Sequence, residues 1–161
     1  ERYPEFPMLP RFGLRLFLDK HMDNVKYYGM GPTESYCDKH RASSHGIYSA
    51  NVKDLHEDYI KPQENGSHYD CAYVNVEGNS YKLAALSEKA FSFNASVYTQ
   101  EELTAKKHNF ELQPSANTVL CLDYAQNGIG SNSCGPELAE QYRLDSKEFE
   151  FSIRLIPYKN C

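Results

Sequence analysis

Apolar and polar residues alternate with a period of two along most of the chain, which predicts strands and not helices. In Gly13–Leu18, Leu14, Leu16 and Leu18 alternate with Arg15 and Phe17. In Tyr69–Val76, the pattern sends Tyr69, Cys71 and Tyr73 to one face and Ala72, Val74 and Val76 to the other. Glu77-Gly78-Asn79-Ser80 supplies a turn, and Tyr81–Leu86 returns from it as a hairpin. Ala90–Tyr98 and Asn117–Tyr124 read as further strands. So does Glu148–Pro157, with Phe149, Phe151, Ile153 and Leu155 on one face. Weaker strands fall at Asn24–Gly29 and Gly46–Val52. One helix start stands out. Thr99 with Glu102 three residues later forms a capping box and predicts a short helix near residues 100–107. Strands joined by Gly, Pro and Asn turns predict an all-β fold, an antiparallel β-sandwich or barrel.

Composition narrows the function classes. Of the 161 residues 40% are hydrophobic and 13% aromatic, enough for a core and against disorder. A net charge of −5 without a basic patch argues against nucleic acid. The apolar runs are too short to span a bilayer. The five cysteines (Cys37, Cys71, Cys121, Cys134, Cys161) are odd in number and lack a CxxC spacing. That predicts free thiols, with Cys71 and Cys121 buried in strands, and no zinc knuckle. A reducing, cytoplasmic compartment fits this usage, with periplasm or secretion as the alternative.

Three stretches concentrate candidate chemistry. In Asn127–Pro136 (NGIGSNSCGP), Gly128-Ile129-Gly130 has the wrong onward spacing for a dinucleotide or phosphate loop, and no helix pattern opens there. Cys134 as a nucleophile would need a base from elsewhere among six histidines, and no local motif supplies one. The bland alternative is a tight surface turn with glycines at positive φ. Gly29–Ser43 mixes Glu34, Asp38, Lys39, His40 and Arg41, and reads as a solvated loop with internal ion pairs. Tyr59–Gly66 ends in Asn65-Gly66, a turn favouring positive φ. No pair of acids marks a glycosidase centre.

Taken in order, these stretches resemble the C-terminal domain of the large bacterial β-galactosidases. The matching residues are Leu9–Gly13, Tyr28–Tyr36 with Asp38, Tyr59–Gly66, and Gly128–Pro136. The resemblance implies a large antiparallel sandwich similar to galactose mutarotase, a supersandwich, with residues 9–161 as its C-terminal part and 1–8 as an extended lead-in. It implies a parent enzyme that hydrolyses terminal β-galactosides such as lactose, with its catalytic glutamates in a (β/α)₈ barrel on other domains. On that reading those domains and the β-galactoside are this chain's partners. On the same reading this chain is expected to carry no catalytic residue, no metal ligand and no cofactor, and any need for Mg and a monovalent cation lies with the parent. The resemblance also implies that the glycine-rich loop reaches the mouth of the barrel's active site, with Cys134 as the substrate-binding residue where some members carry Trp. Two other readings stay open: a freestanding mutarotase-like epimerase using His and Glu as acid and base, and a carbohydrate-binding module stacking sugars on its 13 tyrosines.

Overall fold

The computed structural model describes residues 8–130 and 136–159. The expected lead-in over 1–8 falls almost wholly outside them. Among the described residues seven strands form one antiparallel sheet: β1 (Arg11–Asp19), β2 (Asn24–Gly31), β3 (Ser44–Asn51), β4 (Ser67–Glu77), β5 (Tyr81–Ser96), β6 (Asn117–Gln126) and β7 (Arg154–Lys159). The order is β1-β6-β5-β4-β2-β3, and β7 joins β5. The all-β antiparallel class matches the periodicity, and one helix, α1 (Gln100–Ala105), accompanies it.

Two features bend the sheet. The two strands expected at Tyr81–Leu86 and Ala90–Tyr98 are one 16-residue strand, β5. Its first half pairs with β7 and the end of β4; its second half pairs with β6 and the start of β4. Register shifts between His68 and Cys71 and between Cys71 and Tyr73 mark the bend, where Asp70 takes φ 55°. Bulges turn strands at the corners of packed sheets. The second of these shifts, between Cys71 and Tyr73, also overturns the expected alternation. Cys71, assigned to the face opposite Val74 and Val76, shares their buried cluster. That cluster joins Val25, Tyr27, Val74, Val76 and Ala85 from one half of the sheet to Phe91, Phe93, Ala95, Leu120 and Leu122 from the other. The bent sheet thus encloses an apolar core, consistent with a sandwich.

β7 is shorter than expected. Phe151 and Ile153 pack on the core, but the ladder starts at Arg154. In α1 the Thr99 side chain accepts from Glu102 N–H, as a capping residue does. Glu102 does not close the box in the expected way; its carboxylate accepts from Gln113 N–H at 2.8 Å. Cys37, Cys71 and Cys121 are free thiols and the last two are buried, as their strand context predicts. Burial pushes the Cys37 and Cys121 thiols up to about 11. Cys134 and Cys161 lie outside the described residues.

The outer face of β5 and β6 is polar yet buried. Ser92 pairs across the ladder with Asp123, and Asn94 with Cys121. Asp123 is only 2% exposed. Its carboxylate meets Arg11, whose guanidinium also reaches Glu64 at 2.8 Å. Asn94 donates to the Asn65 carbonyl, and Gln126 donates to Ser67 Oγ at 2.8 Å. This layer anchors Glu64 and Asn65 on the sheet.

Candidate functional site

The structure brings together the three stretches that the sequence singles out. Glu34 is the first junction. Its side chain is 4% exposed and accepts from Lys39 Nζ, from Tyr59 OH and, at 2.8 Å, from Gly66 N–H. Burial alone would raise its pKa. The hydrogen bonds from Lys39, Tyr59 and Gly66 outweigh that, and the carboxyl sits below its ordinary value. Gly66 has φ +70°, and a Cβ there would lie 2.5 Å from the Leu55 carbonyl oxygen, so the turn needs glycine.

The loop that carries Glu34 is stitched to β4. Ser35 N–H donates to the Ser67 carbonyl at 2.7 Å, Tyr69 N–H donates to Ser35 Oγ at 2.9 Å, and Ser67 N–H donates to Tyr36 OH at 3.4 Å. Ser35 and Tyr36 are fully buried. The expected ion pair is present as Glu34–Lys39; the loop is solvent-exposed at Lys39, Arg41 and Ala42 as expected, but Glu34, Ser35 and Tyr36 form a buried clamp. Four backbone groups and the hydroxyls of Ser35 and Tyr36 find partners there that solvent would otherwise supply.

The glycine-rich stretch is held by its stem. Asp38 accepts from Ile129 N–H at 3.1 Å and from Gly130 N–H at 2.9 Å, one carboxylate oxygen each. Gly128 has φ +79°, and a Cβ on it would lie 2.2 Å from Asp38 Cγ. Cys37 Sγ donates to the Gln126 carbonyl at 3.3 Å. On the other side Asn127 N–H donates to the Pro10 carbonyl, and the Asn127 side chain links the Leu9 carbonyl to Leu144 N–H. All four sequence motifs, Leu9–Gly13 included, therefore meet within a few residues of Asp38. Beside them opens a cleft of about 930 Å³, lined by Asp38, Lys39, His40, Arg41, Tyr59 and Tyr142 among others. Cys134, the residue singled out for substrate contact, lies outside the described residues. Sequence reasoning missed Asp38 as the anchor of the stem. Its only signal in the sequence is its place two residues after the Tyr28–Tyr36 motif.

The other candidate chemistry disperses. His68 is buried against Tyr27 OH at 2.9 Å, His45 pairs with Asp70 at 2.8 Å near the surface, and His40 Nδ1 sits 2.9 Å from the Tyr36 carbonyl. None of these three contacts is the His–Glu pair that an epimerase reading would use. Among the described residues no group of three His, Cys, Asp or Glu side chains gathers as a metal site. Among them, too, no helix is long and apolar enough to cross a membrane.

Comparison with known proteins matches residues 2–155 to the family model described as beta galactosidase small chain. The chain is 54% identical over 96% of its length to a beta-galactosidase of Actinobacillus pleuropneumoniae, and covers 15% of that enzyme. It is 46% identical over 96% of its length to a beta-galactosidase of Staphylococcus xylosus, covering 16% of it. It is 32% identical over 92% of its length to one from Kluyveromyces lactis, covering 14%. The chain thus spans about one seventh of the length of these relatives. It belongs to the beta-galactosidase small chain family.

Proposed function

We propose that this chain is a non-catalytic β-sandwich portion of a β-galactosidase, residues 9–161 forming the C-terminal part of its last domain. Its glycine-rich loop reaches the mouth of an active site built on other domains. The parent hydrolyses terminal β-galactosides such as lactose, and this chain shapes the region where the leaving or acceptor sugar sits. The observation that carries the reading is the convergence of the family's motif stretches on the stem of one loop. A surface turn that served only to reverse the chain would not need Asp38, Cys37 and Asn127 all tied to it. Tight N–H clamping makes sense if the loop must be presented at a fixed angle to another body.

On this reading Cys134 faces the sugar. Cys134→Trp in the whole enzyme adds apolar surface there. Burying ~50 Å² at about 25 cal/mol per Å² is worth roughly 1 kcal/mol. Binding of glucose as inhibitor or acceptor should therefore tighten about fivefold. The hydrolytic step should move less, because the glutamates that perform it are elsewhere. If Cys134→Trp and Cys134→Ala leave every kinetic constant and the glucose inhibition constant unchanged in a folded enzyme, the loop does not reach the substrate.

The chain by itself is expected to give no turnover of a chromogenic galactoside. Activity that survives rigorous removal of host enzyme would sink the non-catalytic assignment.

A further inference from the structure

Each position of the loop stem from Gln126 to Gly130 is fixed from outside the loop. Gln126 is held through its carbonyl by Cys37, and Asn127 by Leu9, Pro10 and Leu144. At Gly128 the fixing is steric: it lies against the Asp38 carboxylate, with no room for a side chain. Ile129 and Gly130 donate their N–H groups to the two oxygens of that same carboxylate. Asp38 is therefore the last point of attachment along the described stem. It is itself held firmly, because Tyr36 and Ser35 two and three residues before it are fully buried and bonded to β4, and Glu34 is locked by Gly66, Tyr59 and Lys39.

We infer that Asp38 is a positioning residue. By clamping the N–H groups of Ile129 and Gly130 it sets the direction in which the glycine-rich loop leaves this domain, and through that the affinity for the leaving or acceptor sugar. The inference rests on the proposed placement of the loop at an active-site mouth. A carboxylate suits the task because both oxygens accept, so two adjacent N–H groups can be held by one side chain with charge-assisted bonds. An amide in its place keeps one acceptor and turns an NH₂ toward the second N–H. The position also borders the open cleft, with Lys39, His40 and Arg41 directly after it in the chain. A carboxylate placed only to balance those cations would act through its charge alone, and Asn would then be no better than Ala.

The test uses the intact β-galactosidase that carries this chain, with glucose as the probe. Asp38→Ala should weaken glucose inhibition and glucose acceptance by about tenfold, the scale of one charge-assisted hydrogen bond. The kcat for a galactoside with a small leaving group should move less. Asp38→Asn should fall between native and Ala, because one of the two N–H bonds survives. A folded Asp38→Ala enzyme with a glucose constant within about twofold of native overturns the inference, as does an Asn variant equal to Ala. Should Asp38→Ala fail to fold, Asp38→Asn decides alone, and an unchanged glucose constant again overturns it. Cys134→Ala, measured in parallel, separates the two ideas. If it shifts the glucose constant and Asp38→Ala does not, the loop reaches the sugar but Asp38 does not position it. If Asp38→Ala shifts it and Cys134→Ala does not, Asp38 stands and Cys134 is not the contact.

Discussion

Replacing Arg11 by Met is expected to destabilise the protein by about 3 kcal/mol at neutral pH, the lower end of the cost of stripping one partner from a buried ion pair. The lower end applies because Arg11 keeps 24% of its side chain exposed. Asp123, at 3%, has no such access to water. The guanidinium bridges Asp123 and Glu64, and Met fills its stem but neutralises neither carboxylate. Burial already pushes both carboxyls up, against the pull of Arg11, and without Arg11 they rise further. The sign of the pH effect follows. A carboxyl whose folded pKa lies above its unfolded value favours folding as pH falls, so the deficit of Arg11→Met should shrink on acidification. Denaturant unfolding at pH 7.5 and pH 5.5 checks both statements. Adding Asp123→Asn should recover a good part of the loss at pH 7.5, since it removes the uncompensated charge. A loss under about 1 kcal/mol, or one that grows toward pH 5.5, rejects this account of the polar layer.

The polar layer shows where sequence reasoning stops. Alternation finds strands because core residues repeat every second position, and β2, β4, β5 and β6 each bury a face that way. It also assumes an unbroken register. The register shift between Cys71 and Tyr73 is enough to bring Cys71 to the same buried side as Val74 and Val76, and nothing in Tyr69–Val76 announces it. Ser87, Glu88 and Lys89 read as a break between two strands because they are polar. In the folded chain they are the outer part of a continuous, bent strand. Buried polar residues are the hardest case. Asp123, Asn94 and Glu34 look like surface residues because their partners are far along the chain. Asp123 finds Arg11 at a separation of 112 residues, and Asp38 finds Ile129 at 91. The motifs are visible as unusual local composition, and the family resemblance suggests that they belong together. Their hydrogen-bonded junction at Glu34 and Asp38 requires coordinates. Gly66 and Gly128 are legible for a simpler reason: positive φ is a local property, and glycine is its local signal.

Acidification should cost stability through another buried group, His68, whose effect runs opposite to that of Asp123 and Glu64. His68 is 1% exposed, packed between Tyr27 and Phe93, and hydrogen-bonded at Nδ1 to Tyr27 OH. Its Nε2 is buried without a partner among the described residues. Desolvation holds its pKa down to about 4, although the Met30 carbonyl and Glu34 favour the charged form. An unfolded His titrates near 6.5, so the unfolded chain takes up the proton first. The contribution of neutral His68 is therefore complete above about pH 6.5, and it is lost between there and pH 4. At ~1.4 kcal/mol per pH unit, that loss amounts to about 3 kcal/mol. His68→Phe keeps a ring of similar shape between Tyr27 and Phe93 and removes the titration. It leaves Tyr27 OH without this partner, a cost of about 1 kcal/mol at pH 7.5. The variant should thus be less stable than native at pH 7.5 and more stable at pH 4.5, with the two stability curves crossing. The crossing isolates His68 from the carboxyls, which titrate alike in both proteins. Curves that run parallel from pH 7.5 to pH 4.5 would mean that His68 is already protonated in the fold or is reached by water, and the sealed aromatic core around it would have to be redrawn.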